Sequence, residues 1–147
     1  MKLSTRTRYG VRALVDLAIH SDGSPVQLRE IAEREEISEK YLEHLMSLLK
    51  GAGFVRSVRG SKGGYLLAKD AREINLKDVV AVLEGSLAPV ECIRDSNVCD
   101  RSDSCVTRDV WEEVQDVVNE VLESITLDEL RRRKKDKDQS STGMYYI

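Results

Sequence analysis

Apolar residues recur at helical spacing through the first fifty positions, and the pattern then changes to alternation. Val11, Leu14, Val15, Ala18 and Ile19 repeat on one face and predict a helix over 6–20. The turn Ser21-Asp-Gly-Ser-Pro25 is rich in breakers and ends it. Leu28, Ile31 and Ala32 oppose Arg29, Glu30, Glu33 and Arg34, which predicts a second helix over 27–35. Three residues, Glu36-Ile37-Ser38, lead into a third. Ser38 suits an N-cap and Glu39 suits the first turn, where negative charge meets the helix dipole. Leu42, Leu45, Met46 and Leu49 form its apolar stripe over 39–50, and Gly51-Ala-Gly53 stops it.

Phe54 to Arg59 then alternates apolar and polar, as does part of Tyr65-Leu66-Leu67-Ala68. Gly60-Ser-Lys-Gly-Gly64 lies between them as a flexible hairpin tip. Asn75 starts a helix over 75–84, with Leu76, Val79, Val80 and Leu83 inward. A polar loop follows. A long stripe then runs through Val106, Val110, Trp111, Val114, Val117, Val118, Val121 and Leu122, predicting a helix over 104–124. That stripe is too long and too apolar for one thin domain to cover, so it predicts a homodimer with Trp111 as an anchor. After Leu130 the composition collapses to Arg131-Arg-Arg-Lys-Lys-Asp-Lys-Asp-Gln-Ser, a solvated tail expected to be disordered.

The order helix, helix, short turn, helix, hairpin is that of a winged helix-turn-helix, in which the third helix enters the major groove. The expected fold is therefore mainly α, with a two-stranded wing and a long dimerisation helix after it. Residues 1–85 are assigned to the winged helix-turn-helix and 86–105 to a cysteine-rich loop. Residues 106–130 are the dimerisation helix and C-terminal segment, and 131–147 the tail.

Charge sharpens this reading. The net charge of −3 hides a split. Residues 1–72 carry 13 Lys/Arg against 9 Asp/Glu, and residues 73–147 carry 10 against 17. One half can face a polyanion and the other should avoid it. From Phe54 to Ala68 there are three cations, Arg56, Arg59 and Lys62, and no acid. Glycines such as Gly60 at the tip let the backbone approach a duplex, where an arginine can enter a narrow minor groove. On the third helix the face opposite the apolar stripe presents Lys40, Glu43, His44 and Ser47, with Tyr41 near the start. The turn from Ser38 to Tyr41 offers free N–H groups to a phosphate.

Other function classes fit poorly. No apolar run is long enough to span a bilayer. The start Met-Lys-Leu-Ser-Thr-Arg-Thr-Arg has no apolar signal core, and the cysteine count is odd, so a cytoplasmic protein is expected. An enzyme is not expected. There is no nucleophile–base pair and no phosphate-binding glycine loop after a strand. The imidazoles are His20 and His44, and His20 closes the first helix as a capping residue.

The remaining chemistry is sulfur. All three cysteines, Cys92, Cys99 and Cys105, lie within fourteen residues. Their spacing has no Cys-x-x-Cys pair, which structural zinc sites usually show. Iron–sulfur clusters are held by thiolates and tolerate one or two other ligands. Inert surface thiols and zinc are the competing readings.

Four stretches together resemble a known family. They are the opening Met1-Lys-Leu-Ser-Thr-Arg-Thr-Arg-Tyr-Gly10, Ile37-Ser-Glu-Lys-Tyr-Leu-Glu43, the hairpin Val58-Arg-Gly-Ser-Lys-Gly-Gly-Tyr-Leu-Leu67 and the three-cysteine loop. Over about residues 1–130 they look like IscR-type regulators of the Rrf-type winged-helix transcription factors. The resemblance implies a cytoplasmic homodimer that binds a palindromic operator in double-stranded DNA. It implies a 2Fe–2S cluster on Cys92, Cys99 and Cys105, with regulated genes that build such clusters. It puts Ser38, Lys40, Tyr41 and His44 at the major groove and Arg59 in the minor groove.

One departure stands out. Many IscR-type proteins place a histidine ligand three residues after the last cysteine, and here that residue is Arg108. A guanidinium stays protonated and is a poor ligand. A related nitric-oxide-sensing branch uses an aspartate near the first helix, where this chain reads Thr7-Arg8-Tyr9. Glu43 is the favoured fourth ligand, His44 the second choice, and Asp100, Asp103 and Asp109 are local alternatives. A solvated acid, or a helix-face ion pair with Lys40 or Lys50, is the competing role of Glu43. The competing functions are a nitric-oxide or redox sensor of the same fold with a different cluster, and a cluster carrier that does not bind DNA.

Overall fold

The computed structural model describes residues 1–144, with side chains described through Ser141. Helix α1 spans Thr5–His20, α2 Leu28–Glu35 and α3 Glu39–Gly51. Strands β1 (Val55–Val58) and β2 (Gly64–Leu67) pair antiparallel, with Val55 opposite Leu67 and Val58 opposite Gly64. A 3₁₀ turn at Ala71–Glu73 leads to α4, Leu76–Leu83. Short α5 (Glu91–Arg94) and a 3₁₀ turn at Ser96–Val98 precede α6 (Val106–Ser124) and α7 (Leu127–Met144). The architecture is mostly helical with a two-stranded sheet, as the periodicity predicts. No described helix is long and apolar enough to cross a membrane.

The core gathers where the stripes converge. Leu14 and Leu17 of α1, Ile31 of α2, and Leu42, Met46 and Leu49 of α3 are buried with Val79 and Leu83 of α4. Gly10 lets α1 and α4 touch, because a Cβ there would lie 2.5 Å from Leu83 Cδ1. Glu84, just past α4, ties the start of α1 to this contact. Its carboxylate accepts from Ser4 N–H at 3.0 Å, from Ser4 Oγ at 2.6 Å and from Thr7 Oγ1. These donors hold the Glu84 carboxyl below the ordinary carboxylate range. Asp16, buried on α1, takes a two-pronged grip from Arg34 of α2, Nε to Oδ1 and Nη2 to Oδ2, both 2.9 Å. His20 Nδ1 lies 2.9 Å from the Asp16 carbonyl, which is the capping role expected of it.

Two corrections concern the C-terminal third. The segment 86–105 is not wholly irregular, since it contains α5 and a 3₁₀ turn. The tail expected to be disordered from 131 is helical through Met144. Composition hid the reason. Leu127 is buried and its N–H donates to Ile74 O at 2.7 Å, so a helix starts from an anchored end. Charges then repeat at helical spacing, with Arg132 on Glu129 at 2.6 Å, Arg133 on Glu129 at 3.1 Å and Lys134 on Asp138 at 3.1 Å. Such pairs each stabilise a helix by a few tenths of a kcal/mol, about 0.2–0.5. Tyr145, Tyr146 and Ile147, the end of the expected tail, lie outside the described residues.

Candidate nucleic-acid interface and cysteine loop

The turn into α3 is built from backbone choices. Glu36 ends α2 with φ 54°, in the left-handed region, and Ile37 is buried beneath it. Ser38 then caps α3, its Oγ accepting from Tyr41 N–H at 3.2 Å. With Leu42, Leu45, Met46 and Leu49 buried, the far side exposes Lys40, Glu43, His44 and Ser47. That is the face a groove-reading helix must present. Tyr41 is half-buried and packs edge-on against Tyr9, ring centroids 6.2 Å apart. The Arg12 guanidinium covers Tyr9 at 5.2 Å and donates to Glu35 O at 2.7 Å, so α1 supports the whole turn.

The wing is shaped by glycine. Gly60 has φ 112°, and Gly63 N–H donates to Gly60 O at 3.0 Å to close the tip. A Cβ on Gly63 would lie 2.1 Å from Val58 O, and one on Gly64 2.3 Å from Val26 O. No side chain fits at either place, so the hairpin must be glycine there. Arg56, Arg59 and Lys62 are exposed, and none has an acid within ion-pair distance among the described residues. The wing root is tied to the body where Val26 and Tyr65 exchange backbone hydrogen bonds of 2.9 and 2.8 Å.

Glu43 is exposed on α3 beside this root. Its charge, after burial, helps push the Tyr65 phenol up. Neither Lys40 nor Lys50 comes within ion-pair distance of it among the described residues.

The cysteine loop is locally ordered. Cys92 lies in α5, Cys99 follows the second 3₁₀ turn, and Cys105 is the N-cap residue of α6. All three are free thiols. Ser102 Oγ donates to Ser96 O or Cys99 O, both at 2.9 Å, and so fixes the middle turn. Cys105 Sγ lies 3.1 Å from Thr107 Oγ1. That hydroxyl, followed by the Arg108 backbone N–H, holds the Cys105 thiol below its ordinary pKa. Among the described residues, however, no three His, Cys, Asp or Glu side chains are gathered as a metal site.

Comparison with known proteins decides the class. Residues 3–133 match the Rrf2 family, described as iron-dependent transcriptional regulators. The chain belongs to the Rrf2 family of transcriptional regulators. It is 45% identical over 132 residues to Protein rrf2 of Nitratidesulfovibrio vulgaris, covering 90% of this chain and 88% of that one. The solved structure of IscR from T. potens is 43% identical, with TM-score 0.76 over 93% of this chain and 90% of that chain. That of CymR, the global cysteine regulator of B. subtilis, is 38% identical, with TM-score 0.77 over 90% and 98%. Relatives described as transcriptional regulators include IscR and CymR proteins.

In this regulator the sequence-selected residues fall into two groups. Ser38, Lys40, Tyr41 and His44 lie together on the first two turns of α3, and Arg56, Arg59, Gly60 and Lys62 lie together on the wing. The cysteines lie on the other side of α4 in chain order, in a unit that packs α5 on its 3₁₀ turn and on α6. Arg108 has a role the sequence did not disclose. Its Nε and Nη2 both donate to Cys92 O at 3.3 Å, and its Nη1 pairs with Glu112 at 2.8 Å. It ties the first cysteine's segment to α6. Spacing alone marks Arg108 only as a missing ligand.

Proposed function

We propose that this Rrf2 regulator is a homodimer that reads a palindromic operator through α3 and the wing. We further propose that a 2Fe–2S cluster on Cys92, Cys99 and Cys105 sets its output over genes of cluster assembly. Three free thiols in one loop of an Rrf2 chain, one of them biased toward thiolate, carry this reading. Thiolates are the donors such clusters use, so the donor chemistry fits. Cys92, Cys99 and Cys105 would hold the cluster, which would supply a redox-sensitive centre there. Glu43 is the proposed fourth ligand, with His44 second. Within one protomer α3 packs against α1, α2, α4 and β1. Glu43 would therefore reach the cysteine loop of the partner subunit.

The dimer would form on α6. Val106, Val110, Val114, Val117 and Val121 line one face of it, and each is at least 39% exposed in the single chain. The Trp111 ring, 40% exposed, flanks the line. On the DNA side, a free Glu43 carboxylate repels phosphate and accepts only from a base such as cytosine. Held as a ligand, it would no longer present a free charge to the groove, and operator choice would follow its occupancy through local electrostatics.

The test is an anaerobic absorption spectrum with iron and sulfide analysis, then operator affinity of holo, apo and Glu43→Ala protein. Visible charge-transfer bands with iron and sulfide in equal amounts are expected. Unchanged cluster stability and site preference in Glu43→Ala would sink the ligand assignment. A second reading is a regulator whose thiols respond to redox directly. It is supported by the likeness to CymR. It predicts no stoichiometric iron and oxidant-dependent operator affinity.

A further inference from the structure

A large open cleft of about 680 Å³ lies where α1, the wing root, the first 3₁₀ turn and α7 meet. Ala18, Leu67 and Ala71 are among the residues that line it. One wall carries Lys69 and Arg72, and the other carries Arg131, Arg132 and Lys135. Asp70 and Asp128 are the acids of the lining, and Glu129 beside it pairs with Arg132 at 2.6 Å, so the positive charge of the cleft still exceeds the negative.

The charges are organised. Asp70 grips Arg72 with two hydrogen bonds of 3.0 Å and so sets the plane of its guanidinium. Asp128 pairs with Arg131 and Arg132 on the opposite wall. The two walls feel one another. Arg72 draws the Asp70 carboxyl down to about 2, and Arg131 across the cleft adds to the pull. Lys69 and Lys135 have no carboxylate within ion-pair distance among the described residues. The Lys69 ammonium instead lies 5.5 Å from the centre of the Phe54 ring. Lys69 sits two residues past β2, at the end remote from Arg59 and Lys62. With about 3.3 Å per strand residue, the strand alone separates cleft and tip by roughly 10 Å.

We propose that this cleft binds a small multivalent oxyanion, a phosphorylated or polycarboxylated metabolite, between the 3₁₀ turn and α7. Guanidiniums already oriented by carboxylates present paired N–H groups to oxyanions, and the two lysines supply unpaired charge. A ligand spanning both walls ties α7 to the root of the wing.

Calorimetry on the full chain at low ionic strength, with inorganic pyrophosphate and separately with citrate, tests the site. Saturable binding with a dissociation constant below about 1 mM is expected for at least one of them. Whichever anion saturates identifies the phosphate or the carboxylate class. The double variant Lys69→Ala/Lys135→Ala orphans no acid and should keep its melting profile. It should bind at least about tenfold more weakly, while Lys62→Ala at the wing tip binds as the unaltered protein does. Saturation by neither anion, or equal affinity in the double variant, overturns the proposal. So does an equal loss in Lys62→Ala, which would mean unspecific charge attraction. Loss of operator affinity in the double variant without anion binding would reassign the cleft to DNA phosphate.

Discussion

The winged body and α6 follow opposite rules. In α3 the apolar stripe is fully covered, and Leu42, Leu45, Met46 and Leu49 have no exposed surface. In α6 an equally regular stripe has no buried member, and Val106 is 76% exposed. The same periodicity thus has two outcomes. In the body it is satisfied within one chain, which gives the proposed DNA-reading face a rigid support. In α6 it is left uncovered in the single chain, as the proposed dimer interface on this helix requires.

The largest effects should come from interchanging these rules. Leu49→Ala removes a fully buried side chain from α3 and should cost about 3 kcal/mol, read as a lower denaturation midpoint. Val117→Asp, on a residue 58% exposed, should leave the thermal melt of the winged body nearly unchanged. It should convert the dimer to monomer by sedimentation and weaken operator binding by well over about tenfold, since two half-sites no longer bind together. If Val117→Asp remains dimeric, α6 is not the interface and the comparison breaks.

The body was readable from sequence because its signals are local. Ser38, Asn75 and the glycines of the wing mark ends and turns by chemistry that acts within a few residues. The helix limits accordingly agree to within a residue or two. What could not be read depends on contacts distant in sequence. Glu84 reaches Ser4 and Thr7 across some eighty positions, and no spacing rule connects them. The helical tail was hidden for a similar reason, since Leu127 is anchored on Ile74. Of the site, the exposed face of α3 and the cations of the wing were legible. The closeness of Glu43 to Tyr65 and the hold of Arg108 on Cys92 were not, because both depend on how elements pack.

A middle-sized effect tests whether the wing acts through charge alone. Lys62→Ala should weaken all duplexes alike and lower the log–log salt slope by about one unit. Arg59→Ala should cost about 1–3 kcal/mol and also flatten the preference among operators, as expected of an arginine that senses groove width. Identical selectivity losses in the two variants would remove the distinction between them.

The body's own weak point lies in its pH dependence. Glu84→Ala should cost about 1 kcal/mol at neutral pH, the usual value of a lost helix cap. The folded pKa of Glu84 lies below its unfolded value. Its contribution is therefore complete above the unfolded range near about pH 4.3 and is lost as pH falls through the folded pKa. Melting curves of the two proteins should accordingly converge in acid. A gap that persists well below pH 4 would mean that packing, not the charged carboxylate, holds α1 to α4.

The smallest expected effect belongs to the loop. Arg108→Ala removes donors to Cys92 O and the pair with Glu112. Global stability should change by about 1 kcal/mol, as for a partly exposed pair. Local opening should nevertheless rise, because little else fastens α5 to α6. In the cluster-free protein this is read as faster alkylation of Cys92, with Cys105 little changed because Thr107 and the α6 N-terminus still hold its thiolate. Arg108→Lys keeps the charge but loses the forked donation, so it should behave like Arg108→Ala. A lysine variant that alkylates as slowly as the unaltered protein would show that Arg108 acts by charge, and that the loop owes its order to something other than this contact.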